Sequence, residues 1–189
     1  MAVILASASP RRKQLLEMLG LDFEVRPAKG EERLPDGIGP EEAVRRLSLQ
    51  KAASVAQECA PEDVVIGADT IVWHDGRILG KPKDEQDAAR MLSALSGNVH
   101  RVYTGVTVIR GETVLSAAEE TKVRFRRLSG PEIDAYIKTG EPMDKAGAYG
   151  AQGCASLFVE GIEGDFFNVM GLPVCRLGKL LKEVGVTLL

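Results

Sequence analysis

A chain of 189 residues is long enough to bury one good-sized core or two small lobes. Its 44% hydrophobic and 27% charged residues, without an apolar run approaching a membrane span, are those of a globular protein and speak against a membrane-embedded one. A formal net charge of −3 argues against a strongly basic nucleic-acid-binding domain, yet leaves room for a local basic pocket that takes a small anion. The N-terminus lacks the charged-then-apolar pattern of a secretory signal. Cys59, Cys154 and Cys175 are odd in number and show no CxxC spacing, so they read as reduced thiols of a cytoplasmic protein.

The apolar run Val3-Ile4-Leu5-Ala6 predicts a short buried strand, and Leu15, Leu16 and Leu19 then recur at helical spacing. Between them Ser9 stands at an N-cap position and Pro10 at the first helical position, where a missing N–H costs nothing. Free helix N–H groups, the Ser7 and Ser9 hydroxyls and the Arg11 and Arg12 guanidiniums suit a phosphate, although an ordinary capped helix would look the same.

Asp22 to Val25 reads as a second strand, and Lys29 to Pro40 as an acidic Gly/Pro-rich loop carrying Glu31 and Glu32. Adjacent carboxylates in a loop are by default solvated. A helix from Pro40 carries Val44, Leu47, Ala52 and Val55 on one side, with Lys51 read as part of a solvated face.

Val64-Val65-Ile66-Gly67-Ala68 predicts a buried strand ending at Asp69-Thr70. Ligands of α/β sheets collect at the carboxyl ends of strands. Asp69 is therefore a turn aspartate, a general base for water or a ligand for a hard cation, and its spacing does not separate these roles. Residues 71–79 form a hairpin around Asp75-Gly76, with His74 exposed beside the turn. Lys81 is held between Gly80 and Pro82.

Residues 84–95 are helical, 99–109 and 113–128 make a long hairpin around Gly111-Glu112, and Ser129-Gly130-Pro131-Glu132 has capping-box spacing. Residues 140–153 read as a loop whose glycines turn amides towards a ligand, with Tyr149 available to stack and Gln152 to read a base edge. Cys154 reads as a small packing residue. Residues 157–159 read as a strand, and 173–184 as a closing helix. His74 and His100 share no metal-site spacing, and neither a Walker A nor a G-x-G-x-x-G pattern occurs. The fold class is α/β, a mixed twisted sheet with long antiparallel hairpins, in one domain spanning 1–189 or two lobes of it.

Six blocks in order, Ser7-Ala8-Ser9-Pro10-Arg11-Arg12, Gly67-Ala68-Asp69-Thr70, Gly80-Lys81-Pro82, Tyr103-Thr104-Gly105-Val106, Asp144-Lys145-Ala146-Gly147-Ala148-Tyr149-Gly150 and Asn168-Val169-Met170-Gly171-Leu172-Pro173, resemble the Maf family from end to end. The resemblance implies an inosine-triphosphatase-like fold around a central cleft. It also implies a nucleoside triphosphate pyrophosphatase that releases a monophosphate and pyrophosphate with a divalent cation, Mg²⁺ or Mn²⁺. By matching motif, Asp69 is the implied catalytic residue, and Glu32 and Asp69 are the implied metal ligands. Ser9, Arg11, Arg12, Lys51, Thr70, Lys81 and Gln152 are implied to bind the nucleotide, with Arg11, Thr70 and Gln152 tuning base choice.

Arg11 and the loop ending at Gln152 resemble the dTTP/UTP branch of the family, which implies clearance of such nucleotides from the pool. The sister branch acts on 7-methyl-GTP. A nucleotide-binding regulator of cell division without turnover is the alternative from another class. Two departures stand out: Gly30, where an acidic residue two before Glu32 is frequent, and Ala151, where isoleucine is common. A homodimer without nucleic-acid or membrane partners is the implied state.

Overall fold

A computed structural model describes residues 1–30, 34–35 and 37–189. Glu31 and Glu32 lie outside the described residues. Strand β1 (Val3–Leu5) leads into helix α1 (Pro10–Met18), the short strand β2 (Glu24–Val25) and the long helix α2 (Pro40–Ala56). Strand β3 (Val64–His74) turns into β4 (Arg77–Leu79), and helix α3 (Glu85–Leu95) follows. Next come β5 (Val99–Arg110), β6 (Thr113–Phe125), α4 (Gly130–Ile137), β7 (Val159–Glu163), α5 (Phe166–Met170) and α6 (Val174–Glu183).

Among the described residues seven strands order as β2-β1-β3-β5-β6-β7, with β4 paired to β3. β1 runs parallel to both β2 and β3, whereas β3–β4 and β6–β7 are antiparallel. The predicted mixed α/β sheet with hairpins is thus the one observed. Val3, Ile4, Leu5, Val64, Val65 and Ile66 are all buried, which is why these parallel strands read as unbroken apolar runs and not as alternations. The Asp75-Gly76 turn has positive φ at both residues (46° and 74°), the geometry that makes Asp-Gly a hairpin signal.

Chain contacts divide the molecule into two compact units. The first is Met1–Asp69, Thr104–Glu119 and Gly171–Leu189; the second is Thr70–Tyr103 and Glu120–Met170. Within the first, Ile4 and Val65 pack with Ala52 and Val55 of α2 and with Ile109. Within the second, α3 contributes Ala88, Met91, Leu92 and Leu95, and α4 contributes Ile133, Tyr136 and Ile137, to a core that also holds Phe125, Tyr149 and Phe158.

Several local expectations are corrected. β3 does not stop at Ala68 but runs on to His74, so Asp69 lies inside a strand and not at its carboxyl end. Of the strand expected over 157–159, Leu157 and Phe158 end a 3-10 turn (Cys154–Phe158) and only Val159 is in a strand, which runs on to Glu163. Half of the 140–153 loop lies in 3-10 turns, Glu141–Asp144 and Ala146–Ala148. The His74 side chain is only 10% exposed, while Cys154 is exposed and not a packing residue.

Candidate active site

The first unit builds a polar group between β1 and α1. Ser9 is the N-cap of α1 with extended backbone, and its carbonyl accepts from the Lys13 N–H at 3.2 Å. Its hydroxyl makes no capping hydrogen bond. Instead the Ser9 N–H donates to Ser7 Oγ at 3.2 Å, which tightens the turn before the helix.

Arg12 points inward and is 8% exposed. Its Nε donates to the Gly171 carbonyl at 2.7 Å and its Nη1 to Ser7 Oγ at 3.0 Å. One guanidinium fork thereby joins the first and last of the six sequence blocks, a geometry that an ammonium does not reproduce. Arg11, its neighbour, is half-buried.

The second feature of this unit is the approach of α2 to the sheet. A Cβ on Gly67 would stand 2.4 Å from the Ser48 carbonyl oxygen and 2.7 Å from the Ala52 nitrogen; one on Gly105 would stand 2.0 Å from the Val44 carbonyl oxygen. No real Cβ tolerates such distances, so helix and strands meet backbone to backbone at these glycines. Buried hydroxyls fasten the contact: Ser48 Oγ lies 2.8 Å from Thr107 Oγ1, which lies 3.0 Å from Ser116 Oγ.

Lys51 is one turn beyond Ser48, and Asp69 two residues beyond Gly67 on the same face of the strand. The Lys51 ammonium donates to the Asp69 carboxylate, with both side chains largely shielded at 18% and 11% exposure. The helix position of Lys51 alone reads as a solvated face, whereas the resemblance implies a nucleotide-binding role; here its side chain is largely shielded against Asp69. Ser48 and Thr107 were missed from sequence because small hydroxyl residues on a helix or strand carry no pattern of their own.

In the second unit Thr70 continues β3 and is half-buried. Lys81 is exposed, and the Gly80 carbonyl before it accepts from the Gly147 N–H at 3.0 Å, which seats one sequence block on another. Gln152 is exposed among the bends at 151–153. Tyr149 is not available to stack on a ligand: it is 5% exposed, in edge contact with Phe125 and His100, and its hydroxyl lies 2.7 Å from His100 Nε2. Burial pushes the His100 imidazole down to about 3, with His74 adding a smaller push, so the ring is neutral near pH 7.

The glycines of 140–153 do not simply face outward. Gly153 (φ +149°) leaves room for the Glu141 carboxylate, whose Oε1 would lie 2.6 Å from a Cβ there. That carboxylate accepts from the Tyr136 hydroxyl at 2.9 Å and from the Cys154 N–H at 3.0 Å. Burial alone would raise its pKa. The Cys154 N–H, the Tyr136 hydroxyl, the Ala155 N–H and Lys145 outweigh that and hold it below the ordinary range. Sequence reading missed Glu141, since a glutamate before a proline in a glycine-rich stretch looks solvated.

Among the described residues no three His, Cys, Asp or Glu side chains gather as a ready-made metal site. Mg²⁺, however, is commonly held by one or two carboxylates together with substrate phosphates and water, and Asp69 offers such a carboxylate. Such a lone carboxylate fits a cation that brings most of its oxygen ligands with it.

The fold class is shared over nearly the whole chain with two solved Ham1 proteins. That of Staphylococcus aureus aligns with TM-score 0.55 at 12% identity, over 97% of this chain and 99% of its own. That of Coxiella burnetii aligns with TM-score 0.54 at 15% identity, over 97% and 100%. The sequence narrows the class: the family profile described as Maf-like protein matches residues 2–184, and the chain belongs to the Maf family. It is 48% identical over 184 residues to a dTTP/UTP pyrophosphatase of Bacillus cereus, covering 97% of this chain and 96% of that one. A dTTP/UTP pyrophosphatase of Bacillus cytotoxicus is 51% identical over 180 residues, covering 95% and 94%.

Proposed function

We propose that this protein is a nucleoside triphosphate pyrophosphatase that hydrolyses dTTP and UTP to the monophosphate and pyrophosphate, and so removes these and modified pyrimidine triphosphates from the nucleotide pool. The observation that carries the reading is the 51% identity, over 95% of the chain, to a relative named for that activity. The shielded Lys51–Asp69 pair gives it a chemical centre.

In this reading the oxygen of a water attacks the α-phosphorus, the bond from that phosphorus to the α–β bridging oxygen breaks, and pyrophosphate leaves with the electron pair. Asp69 takes the proton from the attacking water. Lys51 orients that carboxylate and balances its charge, and Arg11 and Lys81 offset the charge of the polyphosphate. Arg12 already braces the β1–α1 turn through Ser7 and Gly171, so it shapes the phosphate seat as well as contributing charge. Ser9 and the helix N-terminus behind it complete that seat, while Thr70 and Gln152 read the base. Asp69, with Glu32, would hold Mg²⁺ or Mn²⁺ on the substrate phosphates, where the cation neutralises oxygen charge.

Pyrophosphate release from a panel of dTTP, UTP, CTP, 7-methyl-GTP, ITP and the standard purine nucleotides, with Mg²⁺ or Mn²⁺, tests the reading. Preference for dTTP and UTP is expected. Preference for 7-methyl-GTP would keep the reaction and overturn the assigned base reading, and binding without any release would make the protein a sensor.

A further inference from the structure

We propose that Glu141 is a positioning residue for base selection: together with Tyr136 it clamps both feet of the short arch that carries Gln152. This rests on the reading of Gln152 as a base-contacting residue.

The arch is 151–153, and each of its flanking amides is tied to the same pair of side chains. Before it, the Gly150 N–H donates to the Tyr136 hydroxyl at 3.4 Å. After it, the Cys154 N–H donates to Glu141 Oε2 at 3.0 Å. The Tyr136 hydroxyl in turn donates to Glu141 Oε1 at 2.9 Å, which closes the circuit between the two feet. Tyr136 is itself fixed, 4% exposed in the core with its ring edge-on to Phe158.

The backbone is cut to fit the clamp. A Cβ at Gly153 would meet Oε1, Cδ and Oε2 of Glu141 within 2.9 Å, and one at Gly150 would meet Lys145 Cε at 2.9 Å. Lys145 adds a further strut, its ammonium donating to the Glu141 carbonyl at 2.7 Å. Ala151 packs against the core cluster while Gln152 beside it is exposed, so the arch has an inner and an outer side. The hydrogen bonds more than offset the burial of this carboxylate, so the clamp holds the turn at no net cost. Its value is rigidity: an amide that reads a base edge discriminates only if it is held in one orientation.

The test compares Glu141→Ala, Glu141→Gln and Gln152→Ala by kcat and KM for UTP and CTP, with folding checked by circular dichroism. Glu141→Ala is expected to raise KM for UTP and to lower the UTP-over-CTP ratio of kcat/KM about tenfold, the discrimination of one hydrogen bond, with kcat changed less than about twofold. Glu141→Gln, which keeps an acceptor for the Cys154 N–H, should restore most of the ratio, and Gln152→Ala should lose it as Glu141→Ala does. If Glu141→Ala lowers kcat for both nucleotides and leaves the ratio unchanged, the role is structural and the proposal falls. If Gln152→Ala also leaves the ratio unchanged, it is the reading of Gln152 that fails. Should Glu141→Ala not fold, Tyr136→Phe releases the foot at Gly150 and must lower the same ratio.

Discussion

The Lys51 ammonium on α2 is hydrogen-bonded to the Asp69 carboxylate in the middle of β3, and little of either side chain reaches solvent. Asp69→Asn keeps the shape and an acceptor for Lys51 but removes the proton acceptor. Turnover should fall on the order of 10²-fold or more, while nucleotide affinity stays largely intact. Steady-state pyrophosphate release and equilibrium binding, both measured well below the melting temperature, separate these effects. Unchanged turnover would remove Asp69 from the chemistry.

That pair depends on how closely α2 lies on the strands. Gly67→Ala and Gly105→Ala each place a methyl group against helix backbone, 2.4 Å from the Ser48 carbonyl oxygen and 2.0 Å from the Val44 carbonyl oxygen. Each should cost about 1–3 kcal/mol of stability, and each should also depress turnover, because pushing the helix outward moves Lys51 relative to Asp69. Gly178→Ala in α6 is the control, since beyond its own helix the added methyl meets only Leu188 Cδ1, at 3.9 Å. It should be neutral or stabilising by up to about 1 kcal/mol. Urea midpoints and kcat measured together would decide; a loss of stability with normal turnover at Gly67 would show that the close approach serves packing alone.

The same residues show what could be read from the sequence. The blocks Gly67-Ala68-Asp69-Thr70 and Tyr103-Thr104-Gly105-Val106 stood out by resemblance, but nothing in their spacing indicates that both glycines exist to admit one helix. Strands and helices were legible where one periodicity dominated, as in α3 with Ala88, Met91, Leu92 and Leu95 inward. Lys51 looked solvated because the partner of a helix lysine is set by tertiary approach. Asp69 looked like a strand end because a carboxylate ordinarily interrupts an apolar run, whereas here Lys51 compensates its burial and the strand continues. The arch around Gln152 was beyond reach for a similar reason: its stays, Tyr136 and Glu141, lie outside it in sequence.

The second unit contains a titratable group whose cost should be visible in acid. His100 is 1% exposed, with rings of Phe125 and Tyr149 edge-on at 5.0 and 5.3 Å, its Nε2 shared with the Tyr149 hydroxyl, and its Nδ1 without a hydrogen-bond partner among the described residues. Burial, with a smaller contribution from His74, lowers it to about 3, whereas in the unfolded chain it titrates near its ordinary value of 6.5. Between those two values the unfolded state binds a proton that the folded state refuses. The stability contributed by a neutral His100 is therefore fully present above about pH 6.5 and is lost as pH falls towards 3, at up to about 1.4 kcal/mol per pH unit. His100→Phe keeps a ring in the aromatic cluster and should be less stable at pH 7.5, where the Tyr149 hydroxyl loses its partner. Between pH 6.5 and 4.5, however, its unfolding free energy should fall less steeply than that of the wild type, so the two curves converge. Urea unfolding at half-unit pH steps measures both slopes. Parallel curves would mean that His100 takes up no proton on unfolding, and that the acid sensitivity of the unit comes from elsewhere.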